Sequence, residues 1–306
     1  MMSSVMSRTN SETIEDGIAA IKMCSDMVKG DINGIPATEV IAQLLQETRN
    51  PDKKDMQLLL IRTITDLLLN FNVPEGEPVR CAEDGQIEAI HRLVYTLGDI
   101  ILIARTGYGK SIIFQALTLI LTGKVVIQII PLSKLGEEQR DIIASFPSTN
   151  PVLITDSVVK DKQFWAGLEQ PGITNILVGP EQASHYRFLA LMRKASFNQR
   201  IAFIGIDELH MVHQWRDFRT DYARLRDLRL VVPSSVPIFG CTATLTAKAQ
   251  DFVLRSVGFR SEGTALGQLR IIRTSVDSKN IQMIIQCLRR GEMRGLEGRD
   301  GNLRCL

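Results

Sequence analysis

The segment Ala104-Arg-Thr-Gly-Tyr-Gly-Lys-Ser111 constrains this chain more than any other, because it sets two glycines, a lysine and a serine directly after an apolar run. The glycines allow a tight turn whose backbone N–H groups face phosphate oxygens, and a helix from Ser111 directs its positive end at them. Lys110 is expected to reach the β- and γ-phosphates, and the Ser111 hydroxyl to ligate Mg²⁺. Ala104 stands where the usual pattern has its first glycine, so the strand-then-helix context carries the assignment. The segment predicts a P-loop for a nucleoside triphosphate.

The composition of the chain excludes several other classes of protein. Its 306 residues, 44% of them hydrophobic, suffice for one or two domains with a core. The five cysteines are scattered and the histidines number four, so neither a disulfide framework nor a zinc cluster is expected. We expect no secretory signal and no membrane span, and hence a soluble intracellular protein.

The charge is unevenly distributed along the chain. The net charge is only +2, but residues 1–79 hold 7 Lys/Arg against 12 Asp/Glu, and residues 252–306 hold 10 against 5. A basic C-terminal part is compatible with phosphate contacts, and a solvated surface explains such an excess equally well. Charge alone therefore does not identify a nucleic-acid-binding protein.

The spacing of apolar residues divides the chain into parts. Helical spacing between Ser11 and Asn70 predicts a helical extension over residues 1–79, which ends in the Pro/Gly-rich segment Asn72–Pro78. Beyond it, short apolar runs alternate with helical stretches, which predicts an α/β fold over residues 80–275, with a mainly parallel sheet covered by helices. Ligands bind such sheets at the carboxyl ends of the strands. The predicted strands are Ile100–Ala104, Val125–Ile130, Pro151–Ile154, Asn175–Val178, Ile201–Ile206 and Val236–Cys241, and two of the predicted helices are Ser111–Leu121 and Leu135–Ala144.

A second acidic motif, Asp207-Glu-Leu-His210, follows directly after the apolar run Ile201–Ile206. Asp207 is placed to hold Mg²⁺ through its water shell, and Glu208 to orient and deprotonate an attacking water. An acidic pair after a strand is also a common start of a solvated loop. Together with the P-loop, at a separation that permits neighbouring strands, the motif favours a site for triphosphate hydrolysis.

These two motifs, A-x-T-G-x-G-K-S followed by D-E-x-H, resemble those of the superfamily 2 helicases, and further segments agree. His213–Arg219, followed by Tyr222, resembles the aromatic-rich loop of RecQ-type DNA helicases, although it is one residue shorter than the family's Q-W-G-H-D-F-R. Gln86 matches the adenine-reading glutamine of that branch, while Arg80 lies further from it than the family pattern has it. The resemblance covers about residues 80–280. The segments similar to helicase motifs Ia, Ib and III are Pro131–Gln139, Gly179–Glu181 and Thr242–Thr244.

The resemblance implies a RecA-like ATP-binding domain that uses ATP and Mg²⁺ and moves 3′ to 5′ on single-stranded or forked DNA, in DNA repair or recombination, in the nucleus or the cytoplasm. Its catalytic residues would be Glu208, Lys110 and His210, and its metal-holding residues Ser111 and Asp207. The implied nucleotide-binding residues are Gln86, Thr106, Gly107, Tyr108, Gly109, Lys110 and Ser111. The implied DNA-contacting residues are Trp215, Phe218 and Arg219, and those that couple the two sites are Thr242 and Thr244.

Each of these roles has an ordinary structural alternative. Trp215 and Phe218 either stack on bases or anchor their loop to the domain. Arg219 either binds phosphate or is a surface charge, and the family pattern favours it over Arg216. His210 either relays between the ATP site and Thr242 or is a core histidine with its hydrogen bonds satisfied.

In such helicases a second RecA-like domain supplies arginines to the nucleotide. We expect residues 276–306 to form a linker and tail, with that domain absent unless a partner protein supplies it, and hence weak unwinding. The leading hypothesis is a RecQ-like helicase motor domain. The alternative is a non-catalytic DNA- or protein-binding fragment, and a P-loop kinase or GTPase is a distant third because neither has the aromatic loop.

Overall fold

A computed structural model gives the fold of the chain. The predicted helical spacing around Ile18 and Met27, the side chain of Phe218 and the predicted tail all lie outside the residues it describes. The described residues are 31–32, 35–71, 73, 77–146, 148–159, 161–217, 219–263, 265 and 267–275.

Seven parallel strands form the central sheet, which confirms the expected α/β fold. Their order is β5-β6-β4-β7-β8-β3-β9, and a short antiparallel pair, β1 (Asp31–Ile32) and β2 (Ile35–Pro36), precedes them. Five of the seven strands are almost wholly buried, as expected where helices cover both faces. The strands of the sheet are β3 (Ile100–Ile103), β4 (Val125–Ile129), β5 (Pro151–Ile154), β6 (Asn175–Val178), β7 (Ile201–Ile206), β8 (Ile238–Thr242) and β9 (Arg270–Arg273).

Helices fill most connections between the strands, and a π-helical turn (Arg92–Thr96) leads into β3. Within the described ranges, none is long and apolar enough to cross a bilayer. The helices are α1 (Ala37–Glu47), α2 (Lys54–Leu69), α3 (Asp84–His91), α4 (Ser111–Ile120), α5 (Ser133–Ala144), α6 (Lys162–Leu168), α7 (Pro180–Ala183), α8 (Tyr186–Arg193), α9 (Ala195–Asn198), α10 (Met211–Gln214), α11 (Arg226–Val231) and α12 (Ala247–Val257).

The eighth and ninth strands differ from the sequence prediction. Strand β8 begins at Ile238 instead of Val236, after Pro237, which has no N–H to donate to a ladder. Strand β9 was not predicted, because its residues Arg-Ile-Ile-Arg are half-exposed at the edge of the sheet and lack a long apolar run. It is held by backbone pairing to β3, with Ile101 opposite Ile271.

Helices α1 and α2 pack on the same side of the sheet as α4. Leu60 and Ile61 of α2 are buried in one apolar cluster with Ile113 and Leu117 of α4, and this cluster continues into the sheet. Burying such side chains contributes about 1.5–3 kcal/mol each. The helices therefore support the strand and helix that flank the P-loop.

Candidate nucleotide site

The carboxyl ends of β3, β8 and β7 bring the predicted motifs to one edge of the sheet. Strand β3 leads into the P-loop, β7 into Asp207, and β8 ends at Thr242. The P-loop strand and the Asp207 strand were expected to be possible neighbours, but β8 pairs with both and lies between them. At the usual spacing of strands this separates β3 from β7 by about 10 Å.

The predicted P-loop is a turn built on two glycines in the left-handed region, Gly107 with φ +75° and Gly109 with φ +77°. The Lys110 side chain is buried and folds back over the turn, where Nζ donates to the carbonyls of Ala104 and Arg105, both at 3.1 Å. A Cβ on Gly107 would meet no atom within 4 Å, so the space above the turn is open. Phosphate binding by the loop remains a prediction.

Gln86 supports this loop through hydrogen bonds to its backbone. It is 1% exposed, its Nε2 donates to the carbonyls of Tyr108 (2.8 Å) and Gly109 (3.0 Å), and its Oε1 accepts from Glu83 N as part of the capping box of α3. Both amide hydrogens are thus engaged within the protein, while the oxygen keeps one free lone pair. Adenine recognition by Gln86 remains a prediction, and it would require the amide to give up a loop carbonyl.

The two other residues of the turn differ in exposure. Thr106 is exposed at its tip, whereas Tyr108 is buried against α3, where a Cβ on Gly85 would lie 2.7 Å from the tyrosine Oη. Burial, reinforced by the charge of Glu83, raises the pKa of Tyr108. Tyr108 therefore packs the loop onto α3 through a neutral side chain.

Asp207 is a buried carboxylate with both oxygens engaged. Oδ1 accepts from Glu208 N at 2.9 Å and from Cys241 Sγ at 3.3 Å, and Oδ2 accepts from Gln139 Nε2 at 3.1 Å. Burial and the charge of Asp207 raise the pKa of the Cys241 thiol, so the thiol stays neutral and donates. The orientation of the carboxylate is therefore fixed by three donors.

Glu208 adopts a left-handed backbone conformation, with φ +47°. Such a conformation is unfavourable for a residue with a side chain and is concentrated at functional sites. It sets Glu208 Oε2 3.3 Å from His210 Nδ1. The hydrogen bond from His210, with the charges of His210 and Lys110, lowers the pKa of Glu208. The carboxylate is therefore ionised at neutral pH.

His210 connects this carboxylate to the end of β8. Its Nδ1 lies 2.8 Å from Thr242 Oγ1, and this fully buried hydroxyl donates to Thr244 O at 3.1 Å and accepts from Thr244 N at 3.2 Å. Thr244 takes part through its backbone only in these contacts, while its side chain is exposed. The relay predicted for His210 thus has a continuous set of contacts, although its role in coupling remains a prediction.

Ser111 and Asp207 are the residues that would hold Mg²⁺. Within the described part of the chain, no three His, Cys, Asp or Glu side chains are grouped so as to bind a metal by themselves. A P-loop site does not need such a group, because Mg²⁺ keeps several waters and takes its other ligands from phosphate. One hydroxyl at the start of α4 and one oriented carboxylate fit that requirement.

The aromatic loop is held to the sheet edge by Arg219. The guanidinium donates to both oxygens of Glu181 (2.5 and 2.6 Å) and to Pro131 O (2.8 Å), and it lies 4.9 Å from the ring centre of Trp215. Trp215 is partly buried and packs edge to face on Tyr222. Arg219, predicted to contact DNA, is thus engaged within the protein, and Phe218 lies outside the described residues.

Beside Arg219 lies a groove of 340 Å³, at the carboxyl ends of β4, β5 and β6. Asp156 and Glu181 line it together with Arg219, and Gln182 Nε2 donates to Asp156 Oδ1 at 2.6 Å. The groove is therefore polar, and its one lining arginine is neutralised by Glu181.

Two contacts of the site were not foreseen from the sequence. The segment containing Glu181 was recognised, but its partner Arg219 follows 38 residues later. Gln139 left a local signal, because it lies four residues from both Leu135 and Ile143 and so occupies the apolar face of α5. A polar side chain on a buried face needs a partner, which here is Asp207.

Comparisons with known proteins show which family the chain resembles. A family model described as DEAD/DEAH box helicase matches residues 83–252. The chain is 32% identical over 203 residues to ATP-dependent DNA helicase Q-like SIM of Arabidopsis thaliana, covering 61% of this chain and 22% of that protein. It is 28% identical over 224 residues to ATP-dependent DNA helicase RecQ of Haemophilus influenzae, covering 71% of this chain and 31% of that protein. It thus spans less than a third of the length of these relatives.

The solved structures that are similar to the chain include the helicase domain of Hef from Pyrococcus furiosus. This similarity has a TM-score of 0.47 at 16% identity, and it covers 68% of this chain and 40% of that one.

Proposed function

The chain belongs to the DEAD/DEAH box helicase family, and we propose that it is the ATP-binding motor domain of a RecQ-like DNA helicase. Its substrates would be ATP, with Mg²⁺, and single-stranded or forked DNA. The observation that carries the proposal is the set of contacts from Glu208 through His210 to Thr242, at the sheet edge where the P-loop begins. The hypothesis of a kinase or GTPase does not account for the aromatic loop beside these contacts.

The residues of the P-loop would bind the triphosphate. Lys110 would exchange its two backbone carbonyl partners for phosphate oxygens, and the N–H groups of the turn and of the start of α4 would complete the cradle. Ser111 and Asp207 would hold Mg²⁺, which when bound neutralises phosphate charge. Gln86 would keep the loop in shape, and recognition of adenine would require its Nε2 to leave one of the two loop carbonyls.

Glu208 would orient the attacking water and accept its proton. Its lowered pKa keeps the carboxylate ionised at neutral pH, and His210 fixes its position by a hydrogen bond. Thr242 contacts His210 from the end of β8. A shift at the end of that strand would therefore move His210 and, through it, the Glu208 carboxylate. Thr242 and Thr244 would in this way couple the nucleotide to the rest of the motor.

The aromatic loop would contact the DNA. Trp215 is partly buried, so the exposed part of its ring would contact a base while the side chain stays anchored on Tyr222. Arg219 would set the position of the loop instead of binding a phosphate, because Glu181 already neutralises it. A second motor domain from a partner chain, a role in DNA repair or recombination, and a nuclear or cytoplasmic location belong to this proposal.

Phosphate release measured with and without single-stranded DNA tests the function. The wild-type chain should hydrolyse ATP faster with DNA, and Glu208→Gln should lower the rate by about 100-fold or more while leaving nucleotide binding intact. Robust strand separation by the chain alone would contradict the expectation that it needs a second motor domain. Binding of nucleotide with no hydrolysis in either protein would reject the enzymatic proposal.

A non-catalytic DNA- or protein-binding role is the second candidate. The observation that favours it is that Gln86 and Arg219, both expected to reach ligands, are engaged within the chain. In that case DNA binding would persist, and wild type and Glu208→Gln would release phosphate at the same background rate.

A further inference from the structure

Three polar side chains form a buried row from the centre of the sheet to the candidate metal site. Gln128 of β4 is 0% exposed, Gln139 of α5 is 7% exposed and Asp207 is 6% exposed. Their surroundings are apolar, with Leu135 and Ile143 on the same face of α5 as Gln139. Two glutamines in such a place are unusual, because amides are mostly exposed in folded proteins.

The hydrogen bonds in this row all run toward Asp207. Gln128 Nε2 donates to Gln139 Oε1, and Gln139 Nε2 donates to Asp207 Oδ2 at 3.1 Å. An ionised carboxylate can only accept, so Gln139 must present its NH₂ group to Asp207 and its oxygen to Gln128. Gln128 must then donate, and its Oε1 is left without a partner among the described residues. The direction is thus set by Asp207, and the fold tolerates an unpaired acceptor to keep it.

A purely structural role does not require these amides. Leucine or methionine would fill the same space without an unpaired oxygen, and Asp207 already accepts from Glu208 N and Cys241 Sγ on its other oxygen. What Gln139 adds is a third donor, on Oδ2, that stops rotation of the carboxylate. Groups that orient a metal-holding side chain in this way are known to matter for metal affinity.

We propose that Gln139 is a positioning residue that fixes the Asp207 carboxylate for Mg²⁺, with Gln128 fixing the orientation of the Gln139 amide. The inference rests on the proposed function, because it assigns Asp207 to the metal. It concerns one residue of α5, whose side chain is hydrogen-bonded to Gln128 and Asp207.

The test compares Gln139→Met with wild type. Methionine is unbranched, suits a helix and has a similar volume, but it cannot donate to Asp207. Affinity for ADP is measured by calorimetry in EDTA and at increasing MgCl₂. Gln139→Met should raise the Mg²⁺ concentration for half-maximal enhancement of ADP binding about 10- to 100-fold and leave the affinity in EDTA unchanged. Glu138→Gln, an exposed neighbour on α5, is the matched control and should behave as wild type.

Two results would overturn this inference and leave the proposed function standing. One is an unchanged Mg²⁺ dependence in a folded Gln139→Met protein. The other is an equal loss of affinity with and without Mg²⁺, which would indicate general damage to the site. If Gln139→Met does not fold, the Mg²⁺ dependence of ADP binding is measured on Gln139→Glu instead. This side chain still accepts from Gln128 but sets an oxygen against Asp207 Oδ2, and an unchanged Mg²⁺ dependence would again overturn the inference. Wild-type protein with no Mg²⁺ dependence at all would instead reject the proposed function.

Discussion

The guanidinium of Arg219 and the carboxylate of Glu181 form a two-point ion pair, with Nε 2.5 Å from Oε1 and Nη2 2.6 Å from Oε2. The pair joins the aromatic loop to the start of α7, and the hydrogen bond from Arg219 to Glu181 raises the pKa of the guanidinium. Arg219 also stacks on Trp215 and Tyr222, at 4.9 and 5.5 Å from the ring centres. The loop is therefore positioned by a planar cation that lysine cannot replace.

We expect Arg219→Lys to uncouple DNA from hydrolysis. A lysine keeps the charge but loses the fork geometry and the stacking on Trp215, so the loop loses its fixed position. DNA stimulation of phosphate release should fall severalfold, while hydrolysis without DNA stays near wild type. Arg224→Lys, in the exposed pair with Asp227, is the control. Full stimulation in Arg219→Lys would show that the loop does not depend on this ion pair.

Lys110→Ala should weaken ATP binding by about 10- to 150-fold, the range expected for losing one charge-assisted hydrogen bond to phosphate. The reason is that no other ammonium is buried within the P-loop turn in the described residues. Lys134→Ala, an exposed lysine of α5, should bind ATP as wild type does. Equal affinity in Lys110→Ala, measured by titration calorimetry, would remove the P-loop assignment.

Glu208 should make stability depend on pH in the acidic range. Its pKa is lower in the folded protein than its ordinary value of 4.5, chiefly through the hydrogen bond from His210. A lowered pKa gives stabilisation that is complete above the ordinary value and is lost as the pH falls through the folded value. The stability difference between wild type and Glu208→Gln should therefore shift against wild type as the pH falls below about 4.5. Urea unfolding measures it, and a difference that stays flat to pH 3 would contradict the assignment.

Thr242→Val should lower the rate of ATP hydrolysis and leave the KM for ATP nearly unchanged. The substitution removes the buried hydroxyl that supports His210 Nδ1 and leaves Thr244 O and N without that partner. Stability should fall by about 1–3 kcal/mol, as for other buried polar groups that lose a partner. Thr244→Val is the matched control, since the side chain of Thr244 is exposed and its contacts to Thr242 are made by backbone. Equal rates in the two variants would contradict the relay.

We expect Asp99 to contribute strongly to the free energy of unfolding. It lies at the amino end of β3, opposite the end that leads into the P-loop. It is fully buried and accepts from Arg229 Nη2 at 2.7 and 2.6 Å, from Ile238 N at 2.8 Å and from Arg260 N at 2.8 Å. Asp99→Asn would leave the Arg229 charge uncompensated, which destabilises by about 3–5 kcal/mol. Asp141→Asn, in an exposed pair with Arg140, should change stability by less than about 1 kcal/mol. Unfolding in urea measures the difference. An equal fall of the urea midpoint in Asp99→Asn and Asp141→Asn would contradict the stabilising role of Asp99.

The features of this protein that leave local signals could be predicted from its sequence. Apolar runs predicted strands β3 to β8 to within two residues, and the glycines, lysine and serine of the P-loop and the acids at Asp207 and Glu208 occur at the strand ends where such sites lie. A buried parallel strand must be apolar along its whole length, and a phosphate turn requires glycines in fixed positions. Both requirements leave a pattern within a few residues.

The other features could not be predicted in this way, because they depend on residues that are far apart in the chain. Half of the residues of strand β9 are polar, and the strand is held in the sheet by its pairing with β3. Strand β8 lies between β3, which leads into the P-loop, and β7, which leads into Asp207. Arg229 meets Asp99 across 130 positions, and Gln139 meets Asp207 across 68. A hydrogen bond depends on distance and direction in space, so only the folded chain determines which polar side chain orients which carboxylate.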